Sequence, residues 1–166
     1  MSSRRQVLKQ LVAMGALAGL SALPRAQAAT PEAKASAVGR YHMPDEAGPQ
    51  ARVWVAFGAS RDIWGRDYQE VQATIGRLVQ AMAPHTEVNV LCREEEEALA
   101  RQLCGEQNTR FIVAELDDIW LRDTGGVFVR NGEGELGLVD FNFNGWGDKQ
   151  EHSYDARVAA LVGRQT

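Results

Sequence analysis

The chain contains 166 residues, of which 45% are hydrophobic, enough for one domain with a buried core. Its formal net charge of -4 is unevenly distributed, because residues 1–28 contain four basic side chains and no acidic one. The rest of the chain therefore carries 14 basic against 22 acidic side chains, a balance of -8. An acidic body of this kind repels phosphate backbones, which argues against a nucleic-acid partner and favours a small cationic ligand.

Residues 1–28 have the pattern of an export signal. The segment SRRQVLK, with Arg4 and Arg5, precedes a run of about 13 mostly apolar residues, and Ala26-Gln27-Ala28 forms an A-x-A cleavage site. The run is too short for a bilayer, which needs about 20 apolar residues. We therefore predict a twin-arginine-type signal, cleavage after Ala28, and a periplasmic or secreted protein without a membrane anchor. Residues 29–42 are predicted to be a flexible leader.

Strand and helix patterns alternate along the next part of the chain. Three β-rich runs, at 52–58, 87–92 and 110–116, predict strands. Between the first two, apolar residues recur at helical spacing before Pro84; they are Val71, Ile75, Leu78, Val79 and Met82. Residues 93–104 form the next predicted helix, whose four consecutive glutamates are interpreted as a solvated first turn and not as a cation site.

Two further elements complete the pattern. Residues 126–143 predict a β-hairpin that turns at Asn131-Gly132-Glu133-Gly134. A last helix is predicted with Ser153 as its N-cap and an apolar face of Val158, Leu161 and Val162. The alternation indicates an α/β fold. Because the chain stops soon after this helix, with no following strand, we expect it to be the N-terminal portion of a larger protein.

The two cysteines, Cys92 and Cys104, are interpreted as buried structural thiols, and neither is proposed as a nucleophile. Their spacing matches no metal site. Export to an oxidising compartment leaves open whether they form a disulfide.

The segment DDIWLRDTGG, residues 117–126, is the first candidate site. A carboxylate such as Asp123 can accept two parallel hydrogen bonds from a guanidinium, and the face of Trp120 attracts the same cation. Two glycines allow the backbone to turn sharply there. Residue spacing by itself favours a structural alternative, in which Arg122 pairs with Asp118 or Asp123 and Trp120 fills the core. The later segment FNFNGWGDK could similarly form a ligand-facing loop or a rigid aromatic turn.

These segments, WLRDTGG and FNFNGWG, lie about 20 residues apart and together resemble the agmatine deiminase and bacterial-type peptidylarginine deiminase family. The upstream stretch MPDEAGPQARVWVAFG resembles the opening strand of that family, so the resemblance extends over residues 43–166. The chain departs from the family pattern at several positions. Gly126 replaces a proline, Ala47 a tryptophan and Asp148 a glycine, and the pair Phe141-Asn142 is additional.

The resemblance implies a pentein-type α/β-propeller of five pseudo-symmetric units, of which this chain would form roughly the first two. It implies hydrolytic deimination of a guanidino substrate, agmatine or peptidyl-arginine, through a cysteine thiolate and without cofactor or metal. Carried over by position, Asp123 matches a catalytic carboxylate that grips the guanidinium. Trp120 matches a residue lining the pocket, whereas Asn144 and Trp146 match the second motif, as substrate contacts or as loop-shaping residues.

The family's nucleophilic cysteine and catalytic histidine have no match among these residues. Neither cysteine matches, and His42, His85 and His152 all lack the H-x-D/E-G pattern, so they are interpreted as ordinary surface or loop residues. The chain alone is therefore expected to be inactive. The alternative is a secreted module that binds guanidinium or amine compounds without turnover, or an inactive truncated remnant.

Overall fold

The computed structural model describes residues 40–166, so the predicted signal and residues 29–39 of the predicted leader lie outside it. The strands are β1 Arg52–Ala56, β2 Glu87–Cys92, β3 Thr109–Val113, β4 Val127–Arg130 and β5 Leu136–Val139. The helices are α1 Arg61–Trp64, α2 Tyr68–Met82, α3 Glu97–Cys104, α4 Leu121–Thr124, α5 Gly145–Asp148 and α6 Val158–Arg164. All the predicted strands and helices are thus found, with shifts at their ends.

The strands form two sheets. In the first, β1, β2 and β3 are parallel and lie in that order, with Val53 opposite Val88 and Val88 opposite Thr109. The other sheet is the predicted hairpin of β4 and β5, and its first strand also pairs with His42 through two backbone hydrogen bonds to Arg130. Because parallel strands end at the same edge, the loops after β1, β2 and β3 meet there. The α/β class is confirmed.

Apolar side chains fill both faces of the parallel sheet. On one face, β1 and β2 pack against α2 and α3 through Val55, Val79, Val90 and Ala100. On the other face, Leu91 and Leu116 pack against Val158 and Val162 of α6 and against partly buried Leu138 of the hairpin. One residue of the predicted α2 face is wrongly placed, since Leu78 is 48% exposed. Gly76 is buried on this face instead. The backbone of α3 lies so close to it that a Cβ atom would be 2.7 Å from the Leu103 carbonyl oxygen, so the position requires glycine.

The interpretation of the four glutamates as a solvated turn is wrong for Glu96. A 3-10 turn over Glu94–Glu96 precedes α3 and directs Glu96 into the protein, where it is buried. Its Oε1 atom accepts hydrogen bonds from Tyr68 Oη at 2.7 Å and from Gln72 Nε2 at 3.1 Å. A buried carboxylate is tolerated when its oxygens accept such hydrogen bonds and a cation pairs with it, as Arg93 does here.

The start of the last helix also differs from the prediction. Ser153 does not cap it; the helical segment begins with a 3-10 turn at Asp155–Arg157. The capping carboxylate belongs to Asp117, which accepts hydrogen bonds from the backbone N–H groups of Tyr154 at 2.7 Å and Asp155 at 2.9 Å. In return, Asp155 Oδ1 accepts a hydrogen bond from the Asp117 N–H at 2.9 Å. This reciprocal pair joins the loop after β3 to α6.

Asp155 makes the stability of this junction pH-dependent. Burial, assisted by the nearby Asp117 carboxylate, raises the pKa of Asp155 to about 6. Between about pH 4 and pH 6 the folded protein therefore binds more protons than the unfolded chain, and stability falls as pH rises. Asp155→Asn removes this titration. Urea unfolding of both proteins should show the variant gaining about 2 to 3 kcal/mol relative to wild type from pH 4 to pH 7. A pH-independent difference would contradict the raised pKa.

Both cysteines are buried and free, which confirms the structural-thiol interpretation and shows no disulfide between them. Burial raises the pKa of each thiol to about 11, so very little thiolate is present at neutral pH.

Within residues 40–166, no helix combines the length and apolar content needed to cross a bilayer. In the same range, no cluster of three or more histidine, cysteine, aspartate or glutamate side chains could hold a metal ion.

Candidate active site

The candidate site lies where the three parallel strands end. The loop after β3 carries Asp117, Asp118 and Trp120 and leads directly into α4, which contains Asp123. The loop after β1 leads into α1, whose last residue is Trp64. The two loops therefore approach each other across the end of β2.

Arg93, the residue that follows β2, holds these two loops together. Its guanidinium donates hydrogen bonds to backbone carbonyl oxygens in both loops: Gly58, Ala59, Leu116 and Asp117, at 2.9 to 3.2 Å. It also pairs with the buried Glu96, at 3.1 Å between Nη1 and Oε2. The fork geometry of guanidinium allows one side chain to serve several acceptors. Arg93 thus fixes the spacing of the loops that carry the candidate site.

Asp118 is the polar centre of the site, and it is only 1% exposed. Its Oδ1 atom accepts hydrogen bonds from the Ser60 N–H at 3.1 Å and from Trp64 Nε1 at 2.8 Å. Its Oδ2 atom accepts one from Trp120 Nε1 at 2.8 Å. The alternative of an ion pair between Arg122 and Asp118 or Asp123 is wrong, since Arg122 is exposed and pairs with Glu46 at 2.9 Å.

Four aromatic rings form a continuous cluster beside Asp118. Trp64 and Trp120 are stacked, with centroids 5.9 Å apart and an interplanar angle of 29°. Trp120 and Trp146 meet edge to face at 5.7 Å, and Phe143 meets Trp146 edge to face at 5.0 Å. Such pairs stabilise one another by about 0.5 to 1.5 kcal/mol beyond their buried area. Trp120 is half-buried within this cluster and does not belong to the main core.

Asp123 lies at the open side of this cluster. It is exposed, and its Oδ1 atom is 3.4 Å from Trp146 Nε1, a long hydrogen bond. Within the described part of the chain, no lysine or arginine forms an ion pair with it. The helical turn that carries Asp123 closes at Gly125, where a Cβ atom would lie 2.6 Å from the Leu121 carbonyl oxygen.

The second motif forms a tight turn that presents Trp146. Asn144 Oδ1 accepts a hydrogen bond from the Gly147 N–H at 3.0 Å and so caps α5. Trp146 has a left-handed φ of 54°, an uncommon conformation for a bulky residue. Trp146 is 40% exposed, and its indole N–H points to Asp123. The geometry gives Asn144 a loop-shaping role and leaves Trp146 accessible.

All four predicted site residues, Asp123, Trp120, Asn144 and Trp146, therefore meet in one place. Sequence reasoning missed Trp64, Arg93 and the bonding roles of Asp117 and Asp118. Trp64 lies 54 residues before Asp118, and no local pattern links the two. Of the three histidines, His152 packs its ring against Phe143 and approaches the Gln150 carbonyl at 3.0 Å, a loop contact.

Comparison with known proteins gives consistent matches. The agmatine deiminase of Pseudomonas putida is 37% identical over 107 residues, covering 64% of this chain and 29% of that protein. That of Stutzerimonas stutzeri is 32% identical over 114 residues, covering 69% and 31%. The solved agmatine deiminase of Enterococcus faecalis superposes with a TM-score of 0.69 at 27% identity, covering 75% of this chain and 35% of that one.

The chain thus spans about a third of the length of these relatives. Residues 42–166 also match the family model of the Porphyromonas-type peptidyl-arginine deiminases, a range that includes both motifs and every element of the fold. On this match, the chain belongs to the Porphyromonas-type peptidyl-arginine deiminase family.

Proposed function

We propose that residues 1–166 are the N-terminal part of a longer protein, and that this complete protein hydrolyses a guanidino compound to a ureido product and ammonia. The observation that carries this proposal is Asp123, an exposed carboxylate beside the aromatic cluster. The neighbouring cation in the chain, Arg122, pairs with Glu46 and not with Asp123. A carboxylate next to an aromatic face suits a planar cation by charge, hydrogen bonding and cation–π attraction.

In this proposal Asp123 accepts two N–H bonds from the guanidinium, and Trp120 lines the pocket beside it. A cysteine thiolate attacks the guanidinium carbon, ammonia leaves, and water then releases the ureido product from the thiouronium intermediate. A histidine supplies and removes the protons. Cys92 and Cys104 are unsuited to the attack because both are buried and have raised pKa values. We therefore place the nucleophile and the histidine beyond residue 166.

We further propose that the complete protein is a pentein-type α/β-propeller and that residues 43–166 form roughly its first two of five units. The similarity to solved agmatine deiminases, over about a third of their length, supports this arrangement. The substrate class is agmatine or peptidyl-arginine. Both offer the same guanidinium to Asp123 and differ only at the far end, which other residues would recognise.

The complete protein should release ammonia from agmatine or from a peptidyl-arginine substrate, and the 166-residue chain should release none. The expectation follows because the chain holds recognition residues without a reactive thiol. An ammonia assay on both proteins, with each substrate, is the measurement. Turnover by the chain alone at enzyme-like rates would show that the nucleophile is misplaced in this proposal.

The alternative is a secreted module that binds guanidinium or amine compounds, and the same observation favours it, since Asp123 and Trp120 need no thiol to bind. Calorimetry with agmatine, combined with the ammonia assay, distinguishes the two. Binding by the complete protein without any ammonia release would support the module.

We also propose that residues 1–28 direct export through the twin-arginine route. Fusing them to a reporter that is active only outside the cytoplasm should give export. Replacing both Arg4 and Arg5 by lysine should abolish it, because the receptor reads the arginine pair and not the charge alone. Replacing Arg25 by lysine is the matched control and should leave export unchanged. Export that survives the double substitution would exclude a twin-arginine signal.

A further inference from the structure

We propose that Asp118 is a positioning residue that sets the orientation of the Trp120 ring against the substrate guanidinium. The proposal rests on the function proposed above. Asp118 itself does not contact substrate, since its two carboxylate oxygens are occupied by protein donors and it is 1% exposed.

The hydrogen bonding around Asp118 suits a side chain whose two oxygens both accept. Three N–H groups converge on it, from the Ser60 backbone and from the indoles of Trp64 and Trp120, at 2.8 to 3.1 Å. An ionised carboxylate has only acceptors, so it satisfies all three. An asparagine has one acceptor oxygen, and its NH₂ group would face an indole N–H, placing donor against donor.

The bond to Trp120 determines how that ring can lie. An indole turns about two side-chain torsions, and a hydrogen bond at Nε1, far from the backbone, restricts both of them. The same carboxylate holds Trp64 through the other oxygen, so the two rings are kept in their stacked arrangement, 5.9 Å apart. Attraction of a cation requires that it lie over the ring face, within about 6 Å of the centroid. A turned ring therefore loses this contact.

The orientation of the Trp120 ring also affects the position of Asp123. Trp120 meets Trp146 edge to face at 5.7 Å, and the N–H of Trp146 points to Asp123 at 3.4 Å. A continuous series of contacts therefore runs from the buried Asp118 to the exposed carboxylate. Sites of this kind must be held within about 0.5 Å and 10 to 20° of their working geometry.

The neighbouring residue provides a matched control. Asp117 is also a carboxylate in the loop after β3, but it accepts its hydrogen bonds from the backbone of Tyr154 and Asp155 at the start of α6. Its replacement by asparagine should lower the melting temperature without turning either indole. Asp118→Asn should alter the indoles.

The test compares the two variants in the complete protein. For Asp118→Asn we expect agmatine affinity to fall by about tenfold or more, because the ring is misplaced. The exciton band of the stacked Trp64 and Trp120 pair in the circular dichroism spectrum should weaken in parallel. Asp117→Asn should keep both the affinity and the band. A folded Asp118→Asn protein with wild-type agmatine affinity would overturn the proposal.

A second variant covers the case in which Asp118→Asn does not fold. Trp120→Phe keeps an aromatic face but cannot be held by Asp118, so it should also lose about tenfold in agmatine affinity. Wild-type affinity in Trp120→Phe would overturn the proposal. Where both variants fold, Asp118→Asn should have little further effect on affinity in the Trp120→Phe background, since the bond is already lost. Additive losses would show that Asp118 acts by another route and would equally overturn it.

Failure of this inference can be separated from failure of the proposed function. If Asp123→Asn binds agmatine as wild type does, the proposed function is wrong. If Asp123→Asn loses agmatine binding whereas Asp118→Asn and Trp120→Phe retain it, only the positioning role of Asp118 is wrong.

Discussion

Replacing Asp123 by asparagine is expected to lower kcat/KM of the complete protein for the proposed guanidino substrate by at least about 100-fold. The substitution preserves size and removes the charge, so the bound guanidinium loses one of its paired hydrogen-bond acceptors. Removing one partner of a buried hydrogen-bonded charge pair costs about 2 to 5 kcal/mol, a range that applies here once bound substrate covers Asp123. The protein should keep its stability, because Asp123 is exposed and, among residues 40–166, its side chain forms only the long hydrogen bond from Trp146.

The measurement is steady-state kinetics with agmatine and with peptidyl-arginine, together with thermal unfolding. Asp62→Asn is the matched control, since Asp62 is an exposed carboxylate on α1 near Trp64 and changes the net charge equally. Its kcat/KM should stay within about twofold of wild type, because an exposed charge that does not contact the substrate is screened by salt. If both variants lose activity equally, the loss results from the changed net charge, and Asp123 does not form hydrogen bonds with the substrate.

Replacing Arg93 by methionine is expected to destabilise the fold by about 3 to 5 kcal/mol. Methionine retains much of the apolar stem but leaves four backbone carbonyl oxygens without their donor. It also leaves the carboxylate of Glu96 buried without its cation, and an unpaired buried charge is strongly unfavourable. The loops after β1 and β3 should separate, so agmatine affinity should fall as well.

Urea unfolding monitored by circular dichroism measures this effect. Arg77→Met is the control, because Arg77 forms an exposed ion pair with Glu70 and should contribute little to stability. Adding Glu96→Gln to Arg93→Met should recover part of the lost stability by neutralising the unpaired charge. A small loss in Arg93→Met, comparable to that of Arg77→Met, would show that the guanidinium is not essential to the loops.

Much of the local structure could be predicted because it depends on neighbours in the chain. Runs rich in β-branched and aromatic residues located the three parallel strands, helical spacing of apolar residues located α2, and the turn at Asn131-Gly132-Glu133-Gly134 located the hairpin. Errors arose where a long-range partner overrode the local pattern. Glu96 belongs to an acidic run but is turned inward to Arg93 and Tyr68. Ser153 has the composition of a cap, yet Asp117 performs that role from 38 residues away.

The same distinction applies to the candidate site. The motifs WLRDTGG and FNFNGWG, together with the opening strand, identified the family from the sequence and marked Asp123, Trp120, Asn144 and Trp146 as the residues to test. Which charges pair was decided only by the tertiary structure. Arg122 contacts Glu46, 76 residues away, and Asp118 receives the N–H of Trp64 from 54 residues away. The periodicity of apolar residues indicates which side of a strand or helix is buried. Hydrogen-bond partners depend instead on which loops meet at the ends of the parallel strands. Only the order of the strands in the folded sheet determines which loops meet.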